Sequence, residues 1–82
     1  KRFNFKMVGI EPGTQLHWYK DNTITCEVYD ETKVKFRDNI TSLSVAAEIV
    51  LKEMGYDWSA YQGPIYWSFK GKTLSELRRE NE

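Results

Sequence analysis

The sequence predicts an α+β fold in which a small antiparallel sheet packs against one amphipathic helix. Apolar and polar residues alternate through residues 15–37, which is typical of half-buried strands. From residue 41 the apolar residues recur at intervals of three and four, the spacing of an amphipathic helix. No repeat, low-complexity tract or linker divides the 82 residues, so we expect a single domain over residues 1–82.

The alternating region contains three predicted strands, at residues 15–20, 24–29 and 33–37. The turn residues Asp21 and Asn22 separate the first two, which indicates a hairpin, and residues 30–32 form the second turn. Short turns join neighbouring antiparallel strands, so the pattern predicts a three-stranded meander. The residues expected to face the core are Leu16, Trp18, Ile24, Cys26, Val28, Val34 and Phe36.

The helical region begins with Thr41 or Ser42 as N-cap, continues through Met54 on its apolar face, and ends at Gly55. Before the meander, residues 3–8 form a short predicted helix that Pro12 and Gly13 separate from the first strand. The sequence therefore predicts one principal helix and a short N-terminal one.

The C-terminal third predicts a fourth strand and a final short helix. Ile65, Trp67 and Phe69 alternate with polar residues through residues 65–70. Thr73, followed three residues later by Glu76, forms a capping box that opens a helix over residues 74–80.

Composition excludes several classes of protein. The 12 basic and 12 acidic residues give no net charge, which argues against binding duplex DNA by phosphate contacts alone. A single cysteine and a single histidine provide neither a disulfide nor a zinc site, and we expect no metal. No apolar run is long enough to cross a bilayer, so we expect a cytoplasmic protein with no membrane partner.

The sequence contains no recognisable catalytic constellation. His17 and Cys26 are the only candidates for nucleophilic chemistry, and strand alternation places them on opposite faces of the sheet. The segment 9–13 lacks the lysine and hydroxyl residue of a phosphate-binding loop. We therefore expect a binding module rather than an enzyme, with no catalytic residues and no cofactor.

A nucleic-acid contact face is one hypothesis for the outer side of the sheet. Cations interleaved with aromatic rings suit phosphate contact and base stacking. The alternative is that tyrosine favours strands and lysine protects sheet edges. The candidate nucleic-acid-binding residues are Lys33, Lys35, Arg37, Lys70, Lys72, Arg78, Tyr19 and Tyr29.

An aromatic surface for a protein partner is the second hypothesis. Aromatic residues are concentrated between residues 56 and 67, and exposed rings commonly anchor partners. The alternative is that these rings complete a small core. The candidate partner surface comprises Trp58, Tyr61, Gln62, Tyr66 and Trp67.

Short motifs occur in a characteristic order along nearly the whole chain. They are Gly9-Ile10-Glu11-Pro12-Gly13, Thr41-Ser42-Leu43-Ser44 with Ala46-Ala47, Gln62-Gly63-Pro64 with Tyr66-Trp67, and Gly71-Lys72-Thr73-Leu74 with Arg78. Together they resemble the bacterial and archaeal domain-of-unknown-function family numbered 4357. That family is similar in turn to the RAMA domain, which is named for its association with restriction enzymes and adenine methylases.

The resemblance implies a context rather than an activity. Such domains are attached to nuclease-like or restriction-modification proteins, where a role in engaging nucleic acid is expected. It transfers no catalytic residue, only positions for fold or contact: Ser42, Ser44, Gln62, Gly63, Trp67, Lys72 and Arg78. The leading hypothesis is a non-enzymatic accessory module of a larger prokaryotic protein that contacts DNA or RNA. The alternative is a docking domain for a protein or for another domain of the parent chain.

Overall fold

The computed structural model describes residues 3–57 and 62–81 and contains an antiparallel sheet of six strands with two α-helices. The predicted α+β class is confirmed. In chain order the elements are a 3₁₀ helix at Phe5–Val8, β1 at Gln15–Trp18, β2 at Asp21–Val28, β3 at Lys33–Phe36, β4 at Asn39–Ser42, α1 at Leu43–Glu53, a second 3₁₀ helix at Gly63–Ile65, β5 at Trp67–Phe69, β6 at Lys72–Thr73 and α2 at Leu74–Glu80.

The spatial order of the strands is β4-β3-β2-β1-β5-β6. The first four strands form a continuous meander, and after α1 the chain returns so that β5 pairs with the free side of β1. All the paired strands are antiparallel. The meander is thus longer by one strand than the pattern predicted.

β4 is not predicted from the sequence because the turn before it lacks the usual glycine or asparagine. Phe36 pairs with Asn39, which leaves Arg37 and Asp38 as a two-residue turn with φ of 50° and 66°. Two successive positive φ angles are the signature of a type I′ hairpin turn, for which Asn-Gly is the usual sequence signal. An Arg-Asp turn of this kind is not recognisable from residue type.

A second tight hairpin joins β5 to β6. Phe69 pairs with Lys72 across Lys70 and Gly71, whose φ angles are 53° and 83°. Gly71 therefore lies in a turn that continues the sheet into β6, a strand that the sequence does not predict. The strand predicted at residues 65–70 also begins later than expected. Gly63–Ile65 forms a 3₁₀ helix, so β5 starts at Trp67.

The first hairpin turns earlier than predicted. Trp18 pairs with Asp21, so the turn is at Tyr19-Lys20 rather than at Asp21-Asn22, and the register shifts between His17 and Trp18. A bulge of this kind bends the strand locally. As a result, β2 gains the three residues that precede Ile24.

Helix α1 begins and ends as its sequence predicts. The Ser42 side chain accepts a hydrogen bond from the Val45 N–H, and Gly55 follows the helix with φ of 91°. Met54, which was expected on the apolar face, is 43% exposed because the helix ends one residue before it. Helix α2 starts with the predicted capping box of Thr73 and Glu76.

The core lies between the inner face of the sheet and α1. Two fully buried tryptophans occupy its centre, and the Trp18 and Trp67 rings meet edge to face with centroids 5.3 Å apart. Ala46 and Ala47 are buried on α1, and such small residues allow a helix to approach bulky aromatic neighbours closely. Burying the two large tryptophan rings removes a large aromatic area from water, which stabilises the fold.

Candidate functional site

The structure divides the predicted basic face. Lys33 and Lys35 are exposed on the same side of β3. Arg37 lies in the following turn, where it forms an ion pair with Glu53 and its guanidinium carbon lies 4.7 Å from the Phe36 ring centroid. The hydrogen bond from Arg37 lowers the pKa of the Glu53 carboxyl. Arg37 is therefore engaged with the end of α1, and its contact with nucleic acid stays a prediction.

Lys35 also has an acidic neighbour. The register places it directly opposite Glu27 on β2, with the exposed Ile40 opposite it on β4. Side chains that are opposite one another in an antiparallel sheet interact, so the outer face at this position is of mixed charge. Lys35 is therefore a weak candidate for phosphate contact.

The cations near the C-terminus are also separated. The Lys72 ammonium lies 2.5 Å from a Glu80 carboxylate oxygen, and this hydrogen bond raises the pKa of Lys72. Lys70 occupies the hairpin turn, with its ammonium 5.2 Å from the Phe69 ring centroid. Arg78 lies on α2 and lines a cleft with residues from other elements. Lys70 and Lys72 lie at the β6 edge of the sheet, away from β3, whereas Arg78 lines that cleft together with Lys33.

The two candidate stacking tyrosines lie in different environments. Tyr29 follows β2 and is 55% exposed. Tyr19 lies in the β1–β2 turn, in edge contact with Tyr66 at 5.7 Å, and the Lys20 ammonium lies 5.5 Å from its centroid. Tyr66 is half-buried and stacks on Trp18 with centroids 5.3 Å apart. Tyr19 and Tyr66 thus form one aromatic group, and Tyr29 is not in ring contact with it.

The candidate partner surface is only partly represented. Trp58 and Tyr61 lie outside the described residues, and Gln62 is exposed. Trp67 is fully buried, and its indole Nε1 donates a hydrogen bond of 3.3 Å to the Leu43 carbonyl. The assignment of Trp67 to a partner surface was wrong, because its ring completes the core beneath the start of α1.

The two residues considered for nucleophilic chemistry are apart. Cys26 is buried on the inner face, and burial raises the pKa of its thiol to about 12. His17 is on the outer face, where its Nδ1 lies 3.1 Å from the Asn22 carbonyl oxygen. Within residues 3–57 and 62–81, no three His, Cys, Asp or Glu side chains are grouped as a metal ion would require.

A cleft of about 610 Å³ opens where the start of β3, the start of α1, the second 3₁₀ helix and α2 meet. It brings together Lys33 and four of the positions named for the family resemblance, Ser42, Ser44, Gln62 and Arg78. Its described lining residues are Phe3, Thr32, Lys33, Ser42, Leu43, Ser44, Gln62, Pro64, Ile65, Ser75 and Arg78.

Strand pairing and helix capping position one wall of the cleft. Lys33 pairs with Ser42 across β3 and β4, so the lysine and the serine that caps α1 are neighbours. Because the Ser42 hydroxyl accepts a hydrogen bond from the backbone, it can still donate its own hydrogen. The start of α1, where the helix dipole is positive, also lies at this wall.

A close backbone contact positions the opposite wall. The Gly63 N–H donates a hydrogen bond of 3.2 Å to the Ser44 hydroxyl. A Cβ atom at position 63 would lie 2.6 Å from the Ser44 nitrogen and 2.6 Å from the Leu43 Cβ, so only glycine allows this approach. The second 3₁₀ helix is thereby held against the first turn of α1, and Gln62 and Pro64 beside it line the cleft.

The cleft is cationic. Lys33 and Arg78 line it, and none of the lining residues that the structure describes is acidic. Asp30 lies near Lys33, but its carboxylate accepts hydrogen bonds from the backbone N–H groups of Thr32 and Lys33, which lower its pKa. Asp30 also interacts electrostatically with Lys33 and offsets part of its charge, but it does not line the cleft. The two cations among the lining residues therefore favour an anion.

Four of the residues that line the cleft are not predicted as part of a site: Phe3, Thr32, Ile65 and Ser75. Each lies in a different segment, and only the packing of α2 and the N-terminal segment against the rest of the chain brings them together. Thr32 lies in the turn before β3, where its backbone N–H donates to Asp30, and Ser75 lies in the first turn of α2. No pattern along the chain would therefore have indicated them.

Among the described residues, none of the helices has both the length and the apolar character needed to span a bilayer. A scan against protein-family models found no match, and searches of curated proteins and of solved structures found none either.

Proposed function

We propose that this chain is a non-enzymatic module that contributes nucleic-acid contact to a larger protein, and that the contact is made in the cleft between β3, α1 and α2. The observation that carries the proposal is the convergence of Lys33 and Arg78 with hydroxyl side chains around one cleft whose described lining has no acid. Cations and hydroxyls are the groups that contact nucleic-acid phosphates.

The contact involves few phosphates. Arg37 and Lys72 are paired with carboxylates, Lys35 is opposite Glu27, and the net charge is zero. A duplex-binding surface needs many cations, because affinity depends on the number of counterions released. The distribution therefore supports a local contact to a single strand or a strand end rather than a long track along a duplex.

The resemblance to the domain-of-unknown-function family numbered 4357 supplies the proposed setting. The serines of the Thr41-Ser42-Leu43-Ser44 motif, Gln62 and Arg78 all line the cleft, so four motif positions have one location. On this basis we place the module in a prokaryotic nuclease or restriction-modification protein of the cytoplasm, with DNA as the leading partner.

The experiment is a fluorescence anisotropy titration of labelled single-stranded DNA, single-stranded RNA and duplex DNA at two salt concentrations. Lys33→Gln removes a cation from the cleft, and Lys35→Gln on the same strand is the matched control. Binding should weaken about tenfold in Lys33→Gln and change less than about twofold in Lys35→Gln. Circular dichroism verifies that both variants keep the fold.

The salt dependence gives a second readout. Two phosphate contacts to a single strand predict a slope of log affinity against log salt of about −1.4, and Lys33→Gln should halve it. Absence of binding at low salt, or equal weakening in both variants, contradicts the proposal. If no binding occurs at low salt, a protein-docking role becomes the alternative, and the aromatic pair of Tyr19 and Tyr66 is the surface to test.

A further inference from the structure

The chemistry of the cleft also indicates which part of a nucleic acid it takes. We infer that the cleft binds a terminal phosphate monoester of a nucleic-acid strand rather than an internal phosphodiester. This inference rests on the proposed function and makes it more specific.

The charge of the cleft favours a terminal phosphate. A terminal phosphate carries close to two negative charges at neutral pH, whereas an internal phosphodiester carries one. The cleft presents two cationic side chains, Lys33 and Arg78, with no acid among its described lining residues. The two cations attract the more highly charged monoester more strongly than a diester.

The supply of donors is the second argument. A monoester has three unesterified oxygens, each of which accepts hydrogen bonds. Four hydroxyl side chains line the cleft, and two of them, Ser42 and Ser44, are held in place by hydrogen bonds accepted from backbone N–H groups. Fixed hydroxyls around two cations can satisfy three oxygens, which is more than a diester offers.

Shape is the third argument. The cleft of about 610 Å³ has apolar residues, Phe3, Pro64 and Ile65, beside its polar residues. The end of a strand can enter such a cleft and place its sugar and base against the apolar side. An internal phosphate could bind there only if the chain on both sides of it also fitted in the cleft. Rings and aliphatic side chains are suitable surfaces for a terminal base.

The test compares three forms of one short single-stranded oligonucleotide, with a 5′-phosphate, a 3′-phosphate or hydroxyls at both ends, in the anisotropy titration. At least one phosphorylated form should bind about tenfold more tightly than the hydroxyl form. A nucleoside monophosphate and inorganic phosphate are then used as competitors. Competition by the nucleotide alone indicates that sugar or base contributes, and competition by both indicates that the phosphate suffices.

Ser75 offers a sharp variant and a matched control. Ser75 lies in the first turn of α2 and lines the cleft. Because an acidic residue is favourable at the start of a helix, Ser75→Asp should fold while placing a negative charge against the ligand. Ser75→Asp should abolish the preference for the phosphorylated end. Asparagine has nearly the same shape as aspartate but no charge, so Ser75→Asn should retain most of the preference.

The outcomes separate the inference from the function on which it rests. If all three oligonucleotides bind equally and Lys33→Gln weakens them all, the cleft contacts nucleic acid but the preference for a terminal phosphate is wrong. If a phosphate preference persists unchanged in both Lys33→Gln and Ser75→Asp, the terminal phosphate binds elsewhere and the inference is overturned. If none of the oligonucleotides binds, the proposed function itself is wrong.

Discussion

The backbone N–H of Gly63 donates a hydrogen bond of 3.2 Å to the Ser44 hydroxyl, across a contact too close for any Cβ at position 63. This pair joins the segment after residue 61 to the first turn of α1. The contact between Gly63 and Ser44 positions one wall of the cleft. The same two residues therefore contribute to the packing of the backbone and to the candidate site.

Gly63→Ala should destabilise the fold by about 3 kcal/mol, because the new methyl group would meet main-chain atoms that cannot rotate away. Gly71→Ala is the comparison, since it has open space but φ of 83°. It should cost about 1 kcal/mol, the penalty for an L-residue in a left-handed conformation. Urea denaturation measures both free energies of unfolding, and an equal cost would show that the close contact is not responsible.

Trp67→Phe should lower the free energy of unfolding by about 2 kcal/mol or more. The change removes the hydrogen bond from the indole Nε1 to the Leu43 carbonyl and leaves a cavity in the core. Tyr29→Phe changes an exposed aromatic residue and should have little effect. Thermal and urea unfolding measure the stability of both variants. A nearly unchanged stability in Trp67→Phe would contradict the buried position of Trp67.

Asp30 makes stability depend on pH. Its carboxylate accepts the backbone N–H groups of Thr32 and Lys33, and these bonds lower its pKa below the ordinary value of 3.8. A group whose pKa is lower in the folded state stabilises the fold above its unfolded pKa and loses that contribution as the pH falls through its folded pKa. The stability of the wild type should therefore decline below about pH 4.

Asp30→Asn tests this pH dependence, because asparagine retains an acceptor oxygen but does not titrate. Its unfolding free energy, measured from neutral pH down through the acidic range, should fall less steeply than that of the wild type. Glu11→Gln removes one acidic charge at an exposed position in a different turn and is the comparison variant. If the stability of Asp30→Asn falls with pH as steeply as that of the wild type, Asp30 is not a cause of the acid sensitivity.

Cys26 should react slowly with thiol reagents in the folded protein. Burial raises the pKa of its thiol to about 12, so very little thiolate is present near neutral pH, and the inner face of the sheet excludes the reagent. Alkylation followed by mass spectrometry at mildly alkaline pH should show protection that disappears in urea. Rapid modification without denaturant would show that β2 does not bury this side chain.

The secondary structure could be predicted where the pattern or the caps were strong. Alternation placed Leu16, Trp18 and Val34 on the inner face, and Ser42 and Thr73 marked the starts of both α-helices. The two-residue turn at Arg37-Asp38 could not be predicted, because its positive φ angles depend on the pairing of β3 with β4 rather than on residue type. The predicted cationic face was divided for a similar reason, since the ion pair of Arg37 with Glu53 is a tertiary contact.

The sequence by itself determined the α+β class, the inner face of the sheet, both helix starts and the separation of His17 from Cys26. All of these follow from periodicity and local capping, which act over a few residues. Only the tertiary structure decided that Trp67 lies in the core and that Lys33 and Arg78 line one cleft with Ser42 and Ser44. Those relationships join segments far apart in the chain, and their proximity arises from packing apolar faces together, which no local pattern specifies.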